Sequence, residues 1–382
     1  MTALADALRP LVDSRLVPGL VAAVGRSDQI EVVVLGDQSV GGRPMAEDSL
    51  FRIASITKPM MTALALTFVA DGTLRLEQSV DDLLPELASP AVLRSLTGPV
   101  DETVPAARPI TVRDLLTSTN GHGFPSDFSA PVVQLLFERL HQGPPQPQLV
   151  APPDEWMAIL ADIPLLHQPG EAFTYNTAFD ILGVLVARAS GQPLPDLMAA
   201  RILEPLGMTE TGFAFPVGTD DRRTCYYGHG DHGLVEIDGP DGQWSTVPVF
   251  PSGAGGLIST LADVLAIQRM LLAGGRDLLP AELVTAMTTD QLTPAVRASD
   301  TVFLDGQSWG FGGGVDIVRR NSWSVPGRFG WVGGTGTSAY VVPSDNSVAV
   351  LLTQVELGGP TGSTVIEGFW AAAADHLGHH TG

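Results

Sequence analysis

Phe51-Arg52-Ile53-Ala54-Ser55-Ile56-Thr57-Lys58 opens an apolar run that continues to Ala70 and stops at Asp71-Gly72. The run has the length and stop signal of a buried helix over about 56–70, with Pro59 tolerated only in the first turn. Ser55 therefore sits at a helix start, and Lys58, three residues on, shares its face. A serine hydroxyl is a weak nucleophile until a neighbouring base takes its proton. An amine is that base only when neutral near pH 7, which requires a large downward shift. Burial beside an apolar helix and the positive end of the helix dipole both push that way.

Ser-x-x-Lys alone is a weak signal, but composition strengthens it. Lys and Arg total 21, and Lys58 is the only lysine. Everywhere else a positive charge is supplied by arginine, whose guanidinium cannot be deprotonated in a protein, whereas an ammonium can. The competing reading, a leftover surface cation, leaves its placement after a helix-start serine to chance.

Outward from this stretch, Ala3 to Ser14 has helical apolar spacing. The β-rich runs Leu20–Val24 and Ile30–Leu35 are joined by the turn-like Arg26-Ser27-Asp28, which indicates an antiparallel pair. Near the other end, Gly310–Val318, Gly336–Val342 and Ser347–Gln354 read as strands, the last two joined by Pro343-Ser344-Asp345-Asn346. Helices are expected from Ser259-Thr260 to Ala273 and over about Thr364–His376. Between the ends, short helical pieces (Thr111–Leu116, Asp154–Leu160, Thr177–Ala189, Leu194–Leu203) alternate with long loops. These include Gly143-Pro144-Pro145-Gln146-Pro147 and the acidic stretch around Asp231 to Asp241. The expectation is α+β: residues 1–75 and 256–382 form a lobe of antiparallel sheet with flanking helices, and 76–255 a mainly helical lobe.

A chain of 382 residues, 44% hydrophobic, is ample for a large core. The net charge of −21 argues against nucleic-acid and anionic-membrane partners, both of which need clustered cations. A lone Cys225 excludes an internal disulfide framework and reads as a passive thiol. Met1 to Arg15 lacks a basic segment followed by an apolar one, and no stretch reaches transmembrane length, so a cytoplasmic protein is expected.

The octapeptide resembles the first motif of the serine β-lactamase and penicillin-binding-protein superfamily, in which the Ser of Ser-x-x-Lys is the nucleophile. The likeness extends through Arg113-Asp114-Leu115-Leu116-Thr117, Gln168-Pro169-Gly170 and Leu206-Gly207-Met208. It is nearest the class C β-lactamase-like branch and, within it, the family VIII carboxylesterases. It implies a β-lactamase/transpeptidase-like fold, no cofactor and no metal. It also implies a second catalytic element, Tyr175 in Phe173-Thr174-Tyr175-Asn176-Thr177, whose phenol can relay the serine proton. Class C enzymes usually carry Tyr-x-Asn, which would put Asn at 177; here Asn176 stands one place early.

The third element is Gly330-Trp331-Val332-Gly333-Gly334-Thr335-Gly336. β-Lactamases carry Lys-Thr-Gly at this place. Trp331 removes that cation, which favours neutral esters over β-lactams. The resemblance places an oxyanion hole at the amides of Ser55 and Gly334, and substrate contacts at Trp331, Gly333 and Asn176. The function read is a serine hydrolase that cleaves small carboxylic esters through an acyl-enzyme on Ser55. A β-lactamase or D-amino-acid peptidase, an acyltransferase and a non-catalytic binder remain open alternatives.

Other features are declined. Ser344-Asp345-Asn346 lies in a Pro-led turn, and His229-Gly230-Asp231-His232 has no third ligand cluster at a metal-site spacing. His379-His380 reads as a frayed tail. No G-x-S-x-G, phosphate loop or H-E-x-x-H is present. Nothing in the pattern speaks to oligomeric state.

Overall fold

The computed structural model describes residues 2–143, 145–359 and 363–379. Seven antiparallel strands form its central sheet. In spatial order they are Gln29–Gly36, Gly19–Arg26, Ser347–Leu352, Thr337–Val342, Phe329–Gly333, Gly314–Val315 and Ser308–Trp309. The two ends of the chain meet inside the sheet, with Ala23 opposite Val350 and Val24 opposite Ala349. The terminal helices Ala3–Asp13 and Thr364–Leu377 pack on each other, the first also on the edge strand Gln29–Gly36 and the second on Gly19–Arg26 and Ser347–Leu352. The helix Leu261–Leu272 packs on the latter two strands. Gly19–Gly25 is buried at every residue. This explains its continuous apolar sequence, since alternation arises only where one face meets water.

The architecture is α+β, as the sequence implies. Among the described residues, none between 37 and 307 joins the sheet. That stretch holds the helix Thr57–Ala70 that carries Lys58, the helices Pro153–Ala161 and Thr177–Ser190, and long connections. The Thr57–Ala70 helix is apolar around most of its circumference and correspondingly buried. No helix is long and apolar enough to cross a membrane among the described residues.

Several local expectations need correction. The acidic stretch read as a loop is a hairpin, Tyr226–Gly230 with Gly233–Asp238. Its strands are short, and Val235, Glu236 and Ile237 are all exposed, so no period-two pattern marked them. Helix Pro131–Leu140 went unread; Pro131 occupies its first turn, where a missing N–H costs nothing. The run Gly310–Val318 contributes only Gly314–Val315, with Ser308–Trp309 lying just outside it. His379 is not frayed: its Nε2 lies 2.6 Å from the Asp345 carboxylate. His380 and Pro144, part of two of those readings, lie outside the described residues.

Candidate active site

Ser55 is presented by a distorted backbone. Phe51–Arg52 pairs with Ile258–Ser259, and the chain then turns through a 3-10 segment, Ala54–Ile56, before the α-helix begins at Thr57. Ala54 carries a positive φ of 45°, a conformation costly for a residue with a Cβ. The sequence reading put Ser55 at the start of a helix over about 56–70, and the structure places it in the tighter turn just ahead of the α-helix. Three side chains fix the strained segment. Thr335 Oγ1 donates to the Arg52 carbonyl, Thr337 Oγ1 donates to the Ile53 carbonyl at 2.9 Å, and buried Arg52 is paired with Asp238.

Lys58 is fully buried. Its Nζ lies 2.8 Å from Ser55 Oγ, 2.9 Å from Asn176 Oδ1 and 2.7 Å from the Ala254 carbonyl oxygen. Burial pushes its ammonium down to about 7, against the upward pull of the Asp180 carboxylate. Asp180 is also buried and its carboxyl is raised by desolvation, while its hydrogen bonds and Lys58 pull it back. It accepts from Ser252 Oγ at 2.6 Å and from the Ala254 N–H at 3.1 Å. Asp180 thus holds the turn whose next carbonyl meets Lys58. Its role beside Lys58 was not read from the sequence, which does not show its burial.

Asn176 reaches Lys58 from the unexpected position through its backbone. With φ 85° and ψ −66°, and Thr177 N–H bonding to the Tyr175 carbonyl at 3.3 Å, it is the centre of a γ-turn. Asn tolerates positive φ better than most residues, and the turn swings it toward the amine. Thr177, where the usual pattern has Asn, instead donates to Gln142 Oε1 at 2.6 Å.

Tyr175 is buried, stacked on Phe303 with ring centroids 4.3 Å apart. Burial pushes its phenol up to about 12, opposed by hydrogen bonds to Ser55 and Trp331. Trp331 is 1% exposed and donates its indole N–H to Tyr175 Oη at 2.7 Å. It therefore stands behind the tyrosine, where the resemblance had it touching substrate. Gly333 is likewise enclosed: a Cβ there would lie 2.3 Å from the Ile53 carbonyl oxygen. Gly334 is exposed, and a Cβ on it would meet nothing within 4 Å. Ser55, Asn176 and Gly334 line one cavity of about 150 Å³, together with Gln142, Trp156 and Phe250.

The structure thus gathers Ser55, Lys58, Tyr175, Asn176 and Gly334, with Trp331 and Gly333 as supports from the neighbouring strand. The arrangement is a hydroxyl beside an amine of lowered proton affinity, facing a small cavity. That is the equipment of nucleophilic acyl transfer. Among the described residues no group of three or more His, Cys, Asp or Glu is placed to hold a metal ion.

The family profile named Beta-lactamase matches residues 4–365. Protein Rv1367c of Mycobacterium tuberculosis is 36% identical over 363 residues, covering 91% of this chain and 88% of its own. Esterase EstB of Burkholderia gladioli is 30% identical over 379 residues, covering 93% and 90%. The solved structure of EstCE1, described as a hydrolase with promiscuous acyltransferase activity, superimposes with a TM-score of 0.81 at 21% identity over 97% of each chain.

Proposed function

Because the chain belongs to the Beta-lactamase family, we propose that it is a serine carboxylesterase, cleaving small neutral esters through an acyl-enzyme on Ser55. The observation that carries this reading is the set of partners around Lys58 Nζ: two carbonyl oxygens and the Ser55 hydroxyl. A neutral amine has two hydrogens and one lone pair. Asn176 and Ala254 accept the hydrogens, leaving the lone pair for the serine proton.

In the proposed reaction Ser55 Oγ bonds to the ester carbonyl carbon as its proton passes to Lys58. The oxyanion rests on the amides of Ser55 and Gly334, each such donor being worth about 3 kcal/mol at the transition state. The carbon–oxygen bond to the alcohol breaks, and the alkoxide leaves with the proton returned by the Lys58–Tyr175 pair. Water then attacks the acyl carbon, giving its proton to the same pair, and Ser55 is released with the acid. Substrate neutrality is supported by Trp331, which occupies the place of a cation and is engaged with Tyr175. The similarity to EstB supports ester cleavage over lactam cleavage.

The test is hydrolysis of p-nitrophenyl butyrate by the wild type and Ser55→Ala, with nitrocefin in parallel and with added alcohol as an acyl acceptor. Saturable ester cleavage lost in the variant, with little nitrocefin turnover, is the expected result. Cleavage surviving Ser55→Ala removes the nucleophile assignment. Preferential capture of the acyl group by alcohol over water makes the enzyme an acyltransferase.

A further inference from the structure

The cavity over Ser55, at about 150 Å³, has room for one benzene-sized group. A larger hollow of about 580 Å³ lies next to it, between the helix Thr177–Ser190, residues Gln192–Pro195 and the irregular segment Val247–Pro251. That volume is ordinary for a small-molecule site. Asp180 and Phe250 line both spaces, so the two are separated by the thickness of these residues. Phe250 is itself buried and packed on Trp156, with ring centroids 4.9 Å apart.

The lining of the groove is aliphatic and stiff. Val184, Leu194, Pro195 and Pro248 form walls, and Val247 and Val249 stand on it 56% and 62% exposed. Two large apolar side chains left in water, two residues apart on one segment, present a patch that invites an apolar ligand. The charged groups of its lining already have partners. Arg188 pairs with Glu86 at 2.7 Å and Asp154 at 2.9 Å, and Asp180 is held by Ser252 and Ala254. An anionic or cationic ligand finds no unpaired partner among the described lining residues.

We propose that this groove binds the aliphatic tail of a longer ester whose carbonyl lies at Ser55, the tail displacing the Phe250 side chain that stands between the two spaces. The inference rests on the esterase reading, and it makes the substrate class a neutral ester with a medium or long hydrocarbon chain. Short esters use only the cavity over Ser55.

The test compares kcat/KM for p-nitrophenyl butyrate and p-nitrophenyl decanoate in the wild type, Val249→Asp and Phe250→Ala. In parallel, N-phenyl-1-naphthylamine fluorescence reads binding to Ser55→Ala with and without Val249→Asp. Val249→Asp should lower decanoate kcat/KM about tenfold, the worth of roughly two buried methylenes, and leave butyrate within about twofold. Phe250→Ala should raise the decanoate-to-butyrate ratio. Naphthylamine binding should weaken with Val249→Asp. An unchanged decanoate-to-butyrate ratio in Val249→Asp overturns the proposal, as does naphthylamine binding that ignores the substitution. If the wild type cleaves neither ester, the esterase reading fails by itself. Naphthylamine binding that is lost in Val249→Asp would then still support the groove as an apolar site.

Discussion

Lys58 offers a direct reading of its own proton, because no other lysine contributes a signal. Protein labelled with ε-¹³C lysine should show one ε-methylene resonance that titrates near 7. In the proposed mechanism the neutral amine is the active form, so kcat/KM should fall as the pH drops below that midpoint. A midpoint close to the unperturbed value of about 10.4 removes Lys58 as the base. Lys58→Arg should fold yet lose at least about a hundredfold in kcat, since guanidinium cannot accept the serine proton. Asn176 gives a sharper geometric prediction. Asn176→Ala should lower kcat, and adding Thr177→Asn should not restore it, because position 177 faces Gln142 and not Lys58. Rescue by the double variant would show that the γ-turn is dispensable. The lysine was legible in the sequence because composition singled it out. The displaced Asn was visible too, but the turn that redeems it was not, since a single φ leaves no pattern in neighbouring residues.

Elements are placed by contacts that periodicity does not encode. Both glycines of the Gly333-Gly334 pair were read as site residues, yet their surroundings divide them. A Cβ on Gly333 would lie 2.1 Å from Thr337 Oγ1 and 2.3 Å from the Ile53 carbonyl oxygen, so this strand can approach the Ser55 turn only without a side chain there. On Gly334 a Cβ would point into open space. Gly333→Ala should therefore lower the urea midpoint and the activity together, whereas Gly334→Ala should keep the midpoint and impair turnover alone. Equal stability loss in both variants would contradict the division. Arg52 works at the same level. Its guanidinium pairs with Asp238, donates to the Thr224 carbonyl at 2.7 Å and lies 5.1 Å from the Trp244 ring centroid. It thereby ties the hairpin Tyr226–Asp238 to the strand before Ser55. Asp238→Ala strands a buried charge and should cost about 3–5 kcal/mol in urea unfolding. The hairpin itself escaped the sequence reading because its first strand ends in Gly-His-Gly and its second exposes Val235, Glu236 and Ile237 in a row.

At the scale of the molecule, the strand pairs read near each chain end do lie together in one sheet, because apolar runs of five to seven residues are hard to bury otherwise. The strand order was not legible, since pairing between residues over 300 positions apart leaves no local trace. Neither was the dense polar interior behind the site, and that interior governs how the whole fold responds to acid. His122 is 1% exposed; its Nε2 lies 2.9 Å from the Ile163 carbonyl oxygen, and its Nδ1 has no hydrogen-bond partner among the described residues. Protonation would add a buried charge and an unmet N–H, so burial pushes this histidine down to about 4 despite the hydrogen bond to Ile163. Between that value and the unfolded value of about 6.5, the unfolded chain binds the proton and the folded chain does not, so stability falls as pH falls through this window. The loss from this one group should reach about 2 kcal/mol by pH 5. His122→Leu cannot titrate, so the difference between its urea unfolding energy and that of the wild type should move by that amount, in favour of the variant, from pH 7.5 to 5. Parallel pH dependences in the two proteins would mean that His122 takes up its proton without unfolding, and the acid sensitivity of the fold would then have to reside in its carboxylates.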